Sequence, residues 1–423
     1  MKFFTNRQIS YWQWGILLAA AVWNFLKVFQ FALDVPVEDD WDYLTAAGNW
    51  KDIFAVHVQH RIVFTRILFN LSYMVNSLNF RWLIIINWFV YGLFAFSVML
   101  LFKKEIKSYP GFGLFFLPFF SDTAQANLIW AGQNQFHFML LFGMLAIYFG
   151  FPRRKSSTTE VWYRIFLILS TFSMSPLLPA VISGCRIMKE VSLLMIFRKS
   201  DPVKHIKNIC FEIFWSLMIF GAFFINYAPA KLPYPPLDKF LFFSIVNIVK
   251  SLTLFKSDSP LFLLAALGVM LILPCVIFLK ILWKQKLCLL IRSSRATVLI
   301  MWAVIFSVAI AWGRNGIMDW RHVEAVLPLI PAFGAVIIKY STGFQRRLAV
   351  IALIMLLSSS LYFAFNFNYA NGKIIERRAG LQKLHYYLEH PETEPDIPEL
   401  YPWRGLRKKI DFAAKLDISC LKK

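Results

Sequence analysis

The chain has 423 residues, of which 58% are hydrophobic, 17% aromatic and 16% charged. A soluble domain carries about a quarter charged residues, so this composition excludes a soluble globular protein. The net charge is +21, but the basic residues lie in short clusters between apolar runs, which is typical of membrane-protein loops and not of nucleic-acid binding. The five cysteines lack paired spacing, so we expect neither a disulfide framework nor a zinc site. The sequence predicts an all-α polytopic membrane protein.

Apolar runs long enough to cross a bilayer predict about eleven membrane spans. The candidate segments are 12–33, 81–102, 109–121, 133–151, 161–174, 177–197, 208–227, 260–282, 296–312, 324–340 and 347–366. Segment 62–80 is also apolar, but it contains Arg66 and Asn70, and its crossing would move the lysine-rich loop 103–107 to the other side. We therefore expect an interfacial helix there, on the outer surface.

Alternate loops differ in charge, and the positive-inside rule assigns the basic ones to the cytoplasm together with the N-terminus. The basic loops lie near residues 103–107, 153–155, 198–207, 284–295 and 339–347. The other loops and the C-terminal tail then face outward, which in a bacterium is the periplasm. We expect a transmembrane domain at 1–366, with a first outer loop at 34–80, and an external appendage at 367–423.

The first outer loop begins with four acids within five residues, Glu38, Asp39, Asp40 and Asp42. Pro36 before them predicts a short helix, whose N-terminal dipole such acids stabilise. Repulsion between neighbouring carboxylates also raises the pKa of at least one of them, which suits a general base. Both interpretations stay open: a helix cap, or catalytic carboxylates at the membrane surface.

The same loop continues as HVQHRIVFTR, in which His60 and Arg61 are candidate ligands for an anionic group. A guanidinium holds a phosphate through two parallel hydrogen bonds. A basic stretch that anchors the next helix to lipid head groups explains the same residues. A metal site formed by His60 and Asp40 is a weaker alternative.

Polar side chains also mark the start of segment 133–151, namely Gln133, Asn134, Gln135 and His137. Amides and an imidazole at the mouth of a membrane helix are costly unless partnered, so they line a cavity or bond to neighbouring helices. Amides match carbohydrate hydroxyls, and we weigh the two roles equally.

A later outer loop carries Arg314, Arg321 and His322. Arginine is rare in the outward loops of a positive-inside protein. Binding of a lipid-linked phosphate explains both arginines, and pairing with Asp319 and Glu324 is the alternative.

These groups fit transfer of a sugar from a polyprenyl phosphate to a hydroxyl. That reaction needs one carboxylate to accept the proton of the acceptor and cations to hold the departing phosphate. It also needs a groove open to lipid. A nucleotide-sugar donor would require a soluble nucleotide-binding domain, and the sequence contains none.

The chain resembles bacterial membrane glycosyltransferases of the GT-C class, in particular the serotype-converting O-antigen glucosyltransferases. The resemblance rests on overall layout and on the strings EDDWDYL at 38–44, HVQHRI at 57–62, WAGQNQF at 130–136, GRNG at 313–316 and YP at 401–402. Gln59 stands where that group carries a glutamate, and His322 where it carries a tyrosine.

The resemblance implies about eleven spans with outward-facing interfacial helices in the bacterial inner membrane. It further implies transfer of a hexose such as glucose from a polyprenyl-phosphate donor to a cell-surface polysaccharide or lipid-linked glycan, on the periplasmic face. Asp39 or Asp40 would then be the base, with Glu38 beside them and Asp42 at the substrate. Arg61, Arg314 and Arg321 would contact phosphate. A divalent cation, Mg²⁺ or Mn²⁺, stays an open partner of the acids.

The main alternative is an O-antigen polymerase or a lipid-linked oligosaccharide flippase, which also uses outward arginines. A polymerase carries one dominant outer loop in its second half, whereas the longest one here, 226–259, is Pro-rich with an apolar second part. An acyltransferase is disfavoured because neither His57 nor His60 has a partner Asp at the expected spacing. A transporter is disfavoured because the two halves show no inverted repeat.

Overall fold

A computed structural model of the chain describes residues 6–109, 111–121, 125–152, 156–196, 201–227, 235–253, 294–314, 320–344, 369–392 and 395–421, with isolated residues between 276 and 358. Within these residues the regular secondary structure is helical apart from one β-hairpin. Its two strands, Val56–His57 and His60–Arg61, have two residues each and pair antiparallel.

The helices are numbered here in chain order. They are α1 (Asn6–Phe31), α2 (Asp40–Tyr43), α3 (Val63–Asn76), α4 (Phe80–Leu101), α5 (Lys103–Ser108), α6 (Gln125–Leu128), α7 (Asn134–Gly150), α8 (Ser157–Ser173), α9 (Leu177–Ile196), α10 (Pro202–Phe224), α11 (Leu237–Thr253), α12 (Ser294–Gly313), α13 (Trp320–Val323), α14 (Leu329–Tyr340), α15 (Tyr369–Glu389) and α16 (Leu406–Lys415).

Polar caps begin several of the long helices. Ser156 and Thr159 form a reciprocal capping box at α8, which satisfies two backbone N–H groups that a helix start would otherwise leave unpaired. Asp201 accepts from the N–H groups of Val203 and Lys204, and Pro202 occupies the first turn of α10. These residues fix where the chain re-enters the apolar bundle after the basic loops.

Four described helices are long and apolar enough to cross a membrane: residues Tyr11–Phe31 of α1, then α4, α10 and α12. This confirms the prediction of an all-α membrane protein. The predicted number of about eleven spans is not supported by the described residues, where four helices qualify by length and composition.

The shortfall has local causes. Segment 109–121 forms a nine-residue 3₁₀ helix, Phe112–Phe120, which rises about 18 Å and cannot cross alone. Segment 324–340 is broken, so that α14 has 12 residues, and the helices α7 and α8 have 17 residues each. The predicted spans 260–282 and 347–366 lie largely outside the described residues.

Segment 62–80 forms α3, whose 14 residues rise about 21 Å, less than the roughly 30 Å of a bilayer core. The chain reverses after α3 at Ser77 and Leu78, both of which adopt positive φ. The helix α4 then begins at Phe80, so the turn returns the chain directly into the longest apolar run of this region. The geometry agrees with a helix that does not cross.

The core is centred on α7, which packs against α4 and α8. The two ends of α7, at Asn134 and at Gly150, lie beside two different groups of residues. The residues beside its start come from the loops with few basic residues, and those beside its end come from the lysine-rich loops. We call these the acidic end and the basic end of the bundle.

The C-terminal segment packs on the acidic end. The N–H of Glu38 donates to the carbonyl of Leu400 at 2.7 Å, and the N–H of Ser419 donates to the carbonyl of Ser77 at 2.9 Å. Arg377 on α15 is buried and donates to the carbonyl of Ile129. Residues 369–421 therefore form part of the wall around the first loop.

Candidate active site

A cavity of about 430 Å³ opens at the acidic end of the bundle. Its lining combines acids, imidazoles, amides, one arginine and aromatic rings. The residues that line it are Glu38, Asp39, Asp42, Tyr43, His57, Val58, Gln59, His60, Gln133, Gln135, Phe136, Met174, Arg314, His322, Tyr401 and Trp403. Eight of the thirteen site residues predicted from the sequence are among them.

The acids Glu38, Asp39 and Asp42 form one wall of the cavity. Glu38 has a φ of 47°, an uncommon value for a residue other than glycine. Its N–H donates to the carbonyl of Leu400, so the C-terminal segment holds this strained backbone in place. Non-glycine residues in sparsely populated backbone regions cluster at functional sites, and this one carries a cavity carboxylate.

Asp40 does not line the cavity but lies behind it, with 1% of its surface exposed. One of its carboxylate oxygens accepts from the N–H of Val37 at 3.2 Å. Burial raises the pKa of Asp40 well above its usual range, while the Val37 hydrogen bond and the charge of Arg377 oppose that rise. Among the predicted catalytic acids, Asp39 and Glu38 reach the cavity and Asp40 supports the wall.

The hairpin brings His57 and His60 into the cavity. Its two-residue turn places Val58 at a φ of 54°, and the hydroxyl of Tyr227 donates to the carbonyl of Gln59 at 2.8 Å. Burial and the nearby charge of Arg314 lower the pKa of His60 to about 4, and burial also lowers the pKa of His57. Both rings are therefore neutral at neutral pH, and Nε2 of His57 and Nδ1 of His60 are buried without a hydrogen-bond partner among the described residues.

Arg61 does not reach the cavity, contrary to its predicted role as a phosphate contact. Its guanidinium donates to the carbonyls of Phe223, Ile225 and Phe54. Two of these carbonyls belong to the end of α10, where the last carbonyls of a helix lack partners within the helix. Arg61 therefore caps α10 and ties it to the hairpin.

The polar start of α7 divides between two sides. Gln133 and Gln135 line the cavity, and Gln135 donates to the hydroxyl of Tyr43 at 3.2 Å. Asn134 and His137 are fully buried on the inner side of the helix. The side chain of Asn134 accepts from the hydroxyl of Thr65. Half of this polar group thus lines a cavity and half bonds within the bundle.

His137 belongs to a buried network that joins separate parts of the chain. Its Nε2 lies 2.6 Å from Oε1 of Glu324, and its Nδ1 lies 2.5 Å from Oδ1 of Asn87. The amide of Asn127 donates to the other oxygen of Glu324 at 2.7 Å. The network links α4, α6 and α7 to the residue that follows α13.

Arg314 and His322 lie in the segment between α12 and α14, and both line the cavity. Asn247 on α11 fixes the middle of this loop, since it accepts from the N–H of Met318 at 2.5 Å and donates to the carbonyl of Gly316 at 3.4 Å. The side chain of Arg321 and all of Asp319 lie outside the described residues.

The C-terminal segment contributes Tyr401, Trp403 and Lys409, which the sequence-based site did not include. Tyr401 and Trp403 line the cavity and contact each other edge to face. The ammonium group of Lys409 on α16 pairs with Asp42. The YP string at 401–402 was the available signal, because it belonged to the family resemblance.

Asp39, Asp42 and His57 offer three ligand atoms within 4.8 Å of one another. The two carboxylates suit Mg²⁺ or Mn²⁺, whereas the imidazole favours a transition metal, so Mn²⁺ matches this mixed donor set better than Mg²⁺. Lys409 already places a positive charge on Asp42, so a cation would share that carboxylate. The three ligand atoms can therefore hold a divalent cation, but Asp42 already has a cationic partner in Lys409 without one.

Comparisons of the chain with models of known families, with curated proteins and with solved structures find no match. The function is therefore inferred from the cavity itself. Its lining combines carboxylates, a guanidinium, amides and aromatic rings at one end of a membrane helix bundle.

Proposed function

We propose that the chain is a membrane glycosyltransferase that moves a sugar from a polyprenyl-phosphate donor to a glycan. The acceptor is a cell-surface polysaccharide or a lipid-linked glycan. The single observation that supports this most is the shared cavity, in which Glu38, Asp39 and Asp42 lie with Arg314. A proton acceptor and a phosphate-binding cation are the two groups that the reaction needs.

In the proposed reaction the acceptor hydroxyl attacks the anomeric carbon of the donor. Its oxygen forms the new glycosidic bond while the bond from the anomeric carbon to the phosphate oxygen breaks. The phosphate keeps the electron pair and leaves as polyprenyl phosphate. Arg314 stabilises the negative charge that develops on it, and a carboxylate accepts the hydroxyl proton.

Asp39 is the base in this proposal, because it lines the cavity whereas Asp40 is buried behind it. Burial raises the pKa of Asp40, which further separates this acid from the ionised base that the reaction needs. Gln133, Gln135 and Trp403 line the same space. Amides and an aromatic ring match the hydroxyls and the apolar face of a sugar.

A divalent cation bound by Asp39, Asp42 and His57 would supply positive charge near the donor phosphate. With that cation bound, Glu38 is the cavity carboxylate outside the ligand set. Measuring the transfer with and without a chelator distinguishes the site that holds a divalent cation from the site that works without one. A transfer that is unaffected by chelator leaves Asp39 as the base and Lys409 as the partner of Asp42.

The proposed location is the bacterial inner membrane, with the N-terminus in the cytoplasm and the cavity on the periplasmic side. The support is the separation of charge along α7, whose end lies among lysine-rich loops and whose start lies among the acids. The cavity includes Arg314, which directly follows the spanning helix α12, and a lipid-linked donor would approach it from that edge of the bilayer.

The test uses purified protein in liposomes with polyprenyl phosphates that carry radiolabelled glucose, galactose or mannose. The proposal predicts that one donor is consumed, that polyprenyl phosphate is released, and that label passes to an added lipid-linked glycan. Failure to consume any of these donors, with the glycan acceptor present, would contradict the proposal.

A further inference from the structure

The basic end of the bundle contains a groove that the proposed transferase reaction does not use. Two adjoining cavities of about 470 and 720 Å³ share Leu101, Lys104, Ser108, Pro152 and Arg295 in their linings. We call the combined space the basic groove. Among the described residues its charged lining contains Lys103, Lys104, Lys107, Lys189, Arg295 and Lys339, together with one acid, Glu105.

These cations converge from distant parts of the chain. Lys104 lies on α5, Lys189 on α9, Arg295 on α12 and Lys339 on α14. A positive-inside loop needs only a local excess of basic residues, whereas here four separate elements line one concave space. The convergence indicates a site for an anion, since the mutual repulsion of the cations is relieved by bound negative charge.

Arg295 is held in place by the end of α7. Its Nε donates to the carbonyl of Phe151 at 3.2 Å and its Nη2 to the carbonyl of Tyr148 at 3.3 Å, while its guanidinium lies 4.9 Å from the Tyr148 ring centre. The ammonium of Lys189 lies 5.5 Å from the ring centre of Phe151. Cation–π contacts and backbone carbonyls therefore hold Arg295 and Lys189 in place at the groove.

The groove also has an apolar part. Leu100, Leu101, Phe102 and Phe149 contribute to its lining, and α4 and α12, both long enough to span, end or begin beside it. Such a position lies at the boundary between hydrocarbon and water. A ligand with an anionic head and an apolar tail fits this combination better than a small soluble anion.

We propose that the basic groove binds the phosphate head group of an anionic membrane lipid, in the leaflet opposite the candidate active site. Basic pockets between membrane helices recognise anionic head groups by this chemistry. The proposal does not require the cavity at the acidic end to be catalytic.

The test measures lipid binding to the purified full-length protein by native mass spectrometry. The probes are phosphatidylglycerol, phosphatidylcholine of the same acyl chains, and inorganic pyrophosphate. Lys104→Gln/Lys339→Gln removes two charges from the groove. Lys204→Gln/Lys207→Gln is the matched control, because these exposed lysines lie in the first two turns of α10 and do not line the groove.

The proposal predicts that phosphatidylglycerol binds more tightly than phosphatidylcholine, and that the groove variant loses about 30-fold in affinity for it, roughly fivefold per ammonium group removed. The control variant should keep its affinity within about twofold. Equal losses in both double variants would mean diffuse surface charge and would overturn the site. Pyrophosphate binding as tight as lipid binding, lost in the groove variant alone, would keep the anion site but assign it to a soluble phosphate compound.

Discussion

The carboxylate of Glu324 lies 2.6 Å from Nε2 of His137, and both side chains are fully buried. The two residues are 187 positions apart in sequence. Glu324 follows the loop that carries Arg314 and His322, and His137 lies one turn below the cavity amides of α7. This contact therefore fixes the arginine-bearing segment to α7, whose first turn also lines the cavity.

Glu324→Ala should lower the free energy of unfolding by about 3 kcal/mol or more, because it leaves His137 and Asn127 buried without their partner. Thermal unfolding in detergent measures the effect. Glu392→Ala, at an exposed position in the tail, is the control and should change stability little. Combining Glu324→Ala with His137→Ala should cost much less than the sum of the two changes, and simple additivity would mean that the contact contributes nothing.

Gly132→Ala should disturb the acidic wall. A Cβ at this position would lie 2.6 Å from Oδ1 of Asp40 and 2.6 Å from Cε2 of Tyr43, so the buried acid or the ring must move. We expect a loss of about 1–3 kcal/mol in stability. Gly184→Ala on α9 is the matched control, since its Cβ would meet nothing within 4 Å and alanine favours a helix. Equal effects of the two changes would argue against close packing at Gly132.

Sequence patterns predicted much of the bundle because apolar length and helix caps are local properties. Segment 81–102 corresponds to α4 and segment 296–312 to α12 within one or two residues. Fewer spans than predicted qualify among the described residues, since hydropathy alone does not reveal that 109–121 forms a 3₁₀ helix or that 324–340 is broken.

The site was predicted in part for the same reason. The acids lie in one short string and the amides in another, so each group could be recognised from local composition, whereas their meeting in one cavity depends on the fold. The role of Arg61 depends on carbonyls at Phe223 and Ile225, more than 160 residues later, which no local pattern contains. Glu324 was considered as a partner of the loop arginines, but its partner in the fold is His137.

Arg314→Gln should raise the apparent KM for the polyprenyl-phosphate donor about tenfold to a hundredfold, the range expected for one hydrogen bond to a charged group. The same change should raise the pKa of His60 above its value of about 4, because the charge of Arg314 contributes to lowering it. Arg404→Gln, exposed in the tail, serves as the control. An unchanged donor KM would remove Arg314 from the phosphate-binding role.

Acid should destabilise the fold partly through His60. Its pKa is about 4 in the folded chain against 6.5 for a free histidine, so between these pH values the unfolded chain binds a proton that the folded chain does not. The associated stability is present above pH 6.5 and is lost as the pH falls toward 4. His60→Gln should therefore lose less stability over this window than the wild type or the His385→Gln control, as followed by thermal midpoints. Parallel losses in all three proteins would contradict the assignment.

The most direct test of the glycosyltransferase proposal is the sugar composition of surface glycan in a bacterial strain that lacks the chain and is complemented with variants. The wild type should restore one hexose branch, visible by mass spectrometry of the polysaccharide. Asp39→Asn should reach the membrane in equal amount yet restore less than about one hundredth of it, the scale of a lost general base. Asp411→Asn, exposed on α16, should restore it fully. Full restoration by Asp39→Asn, or a glycan that is identical with and without the chain, would contradict the proposal.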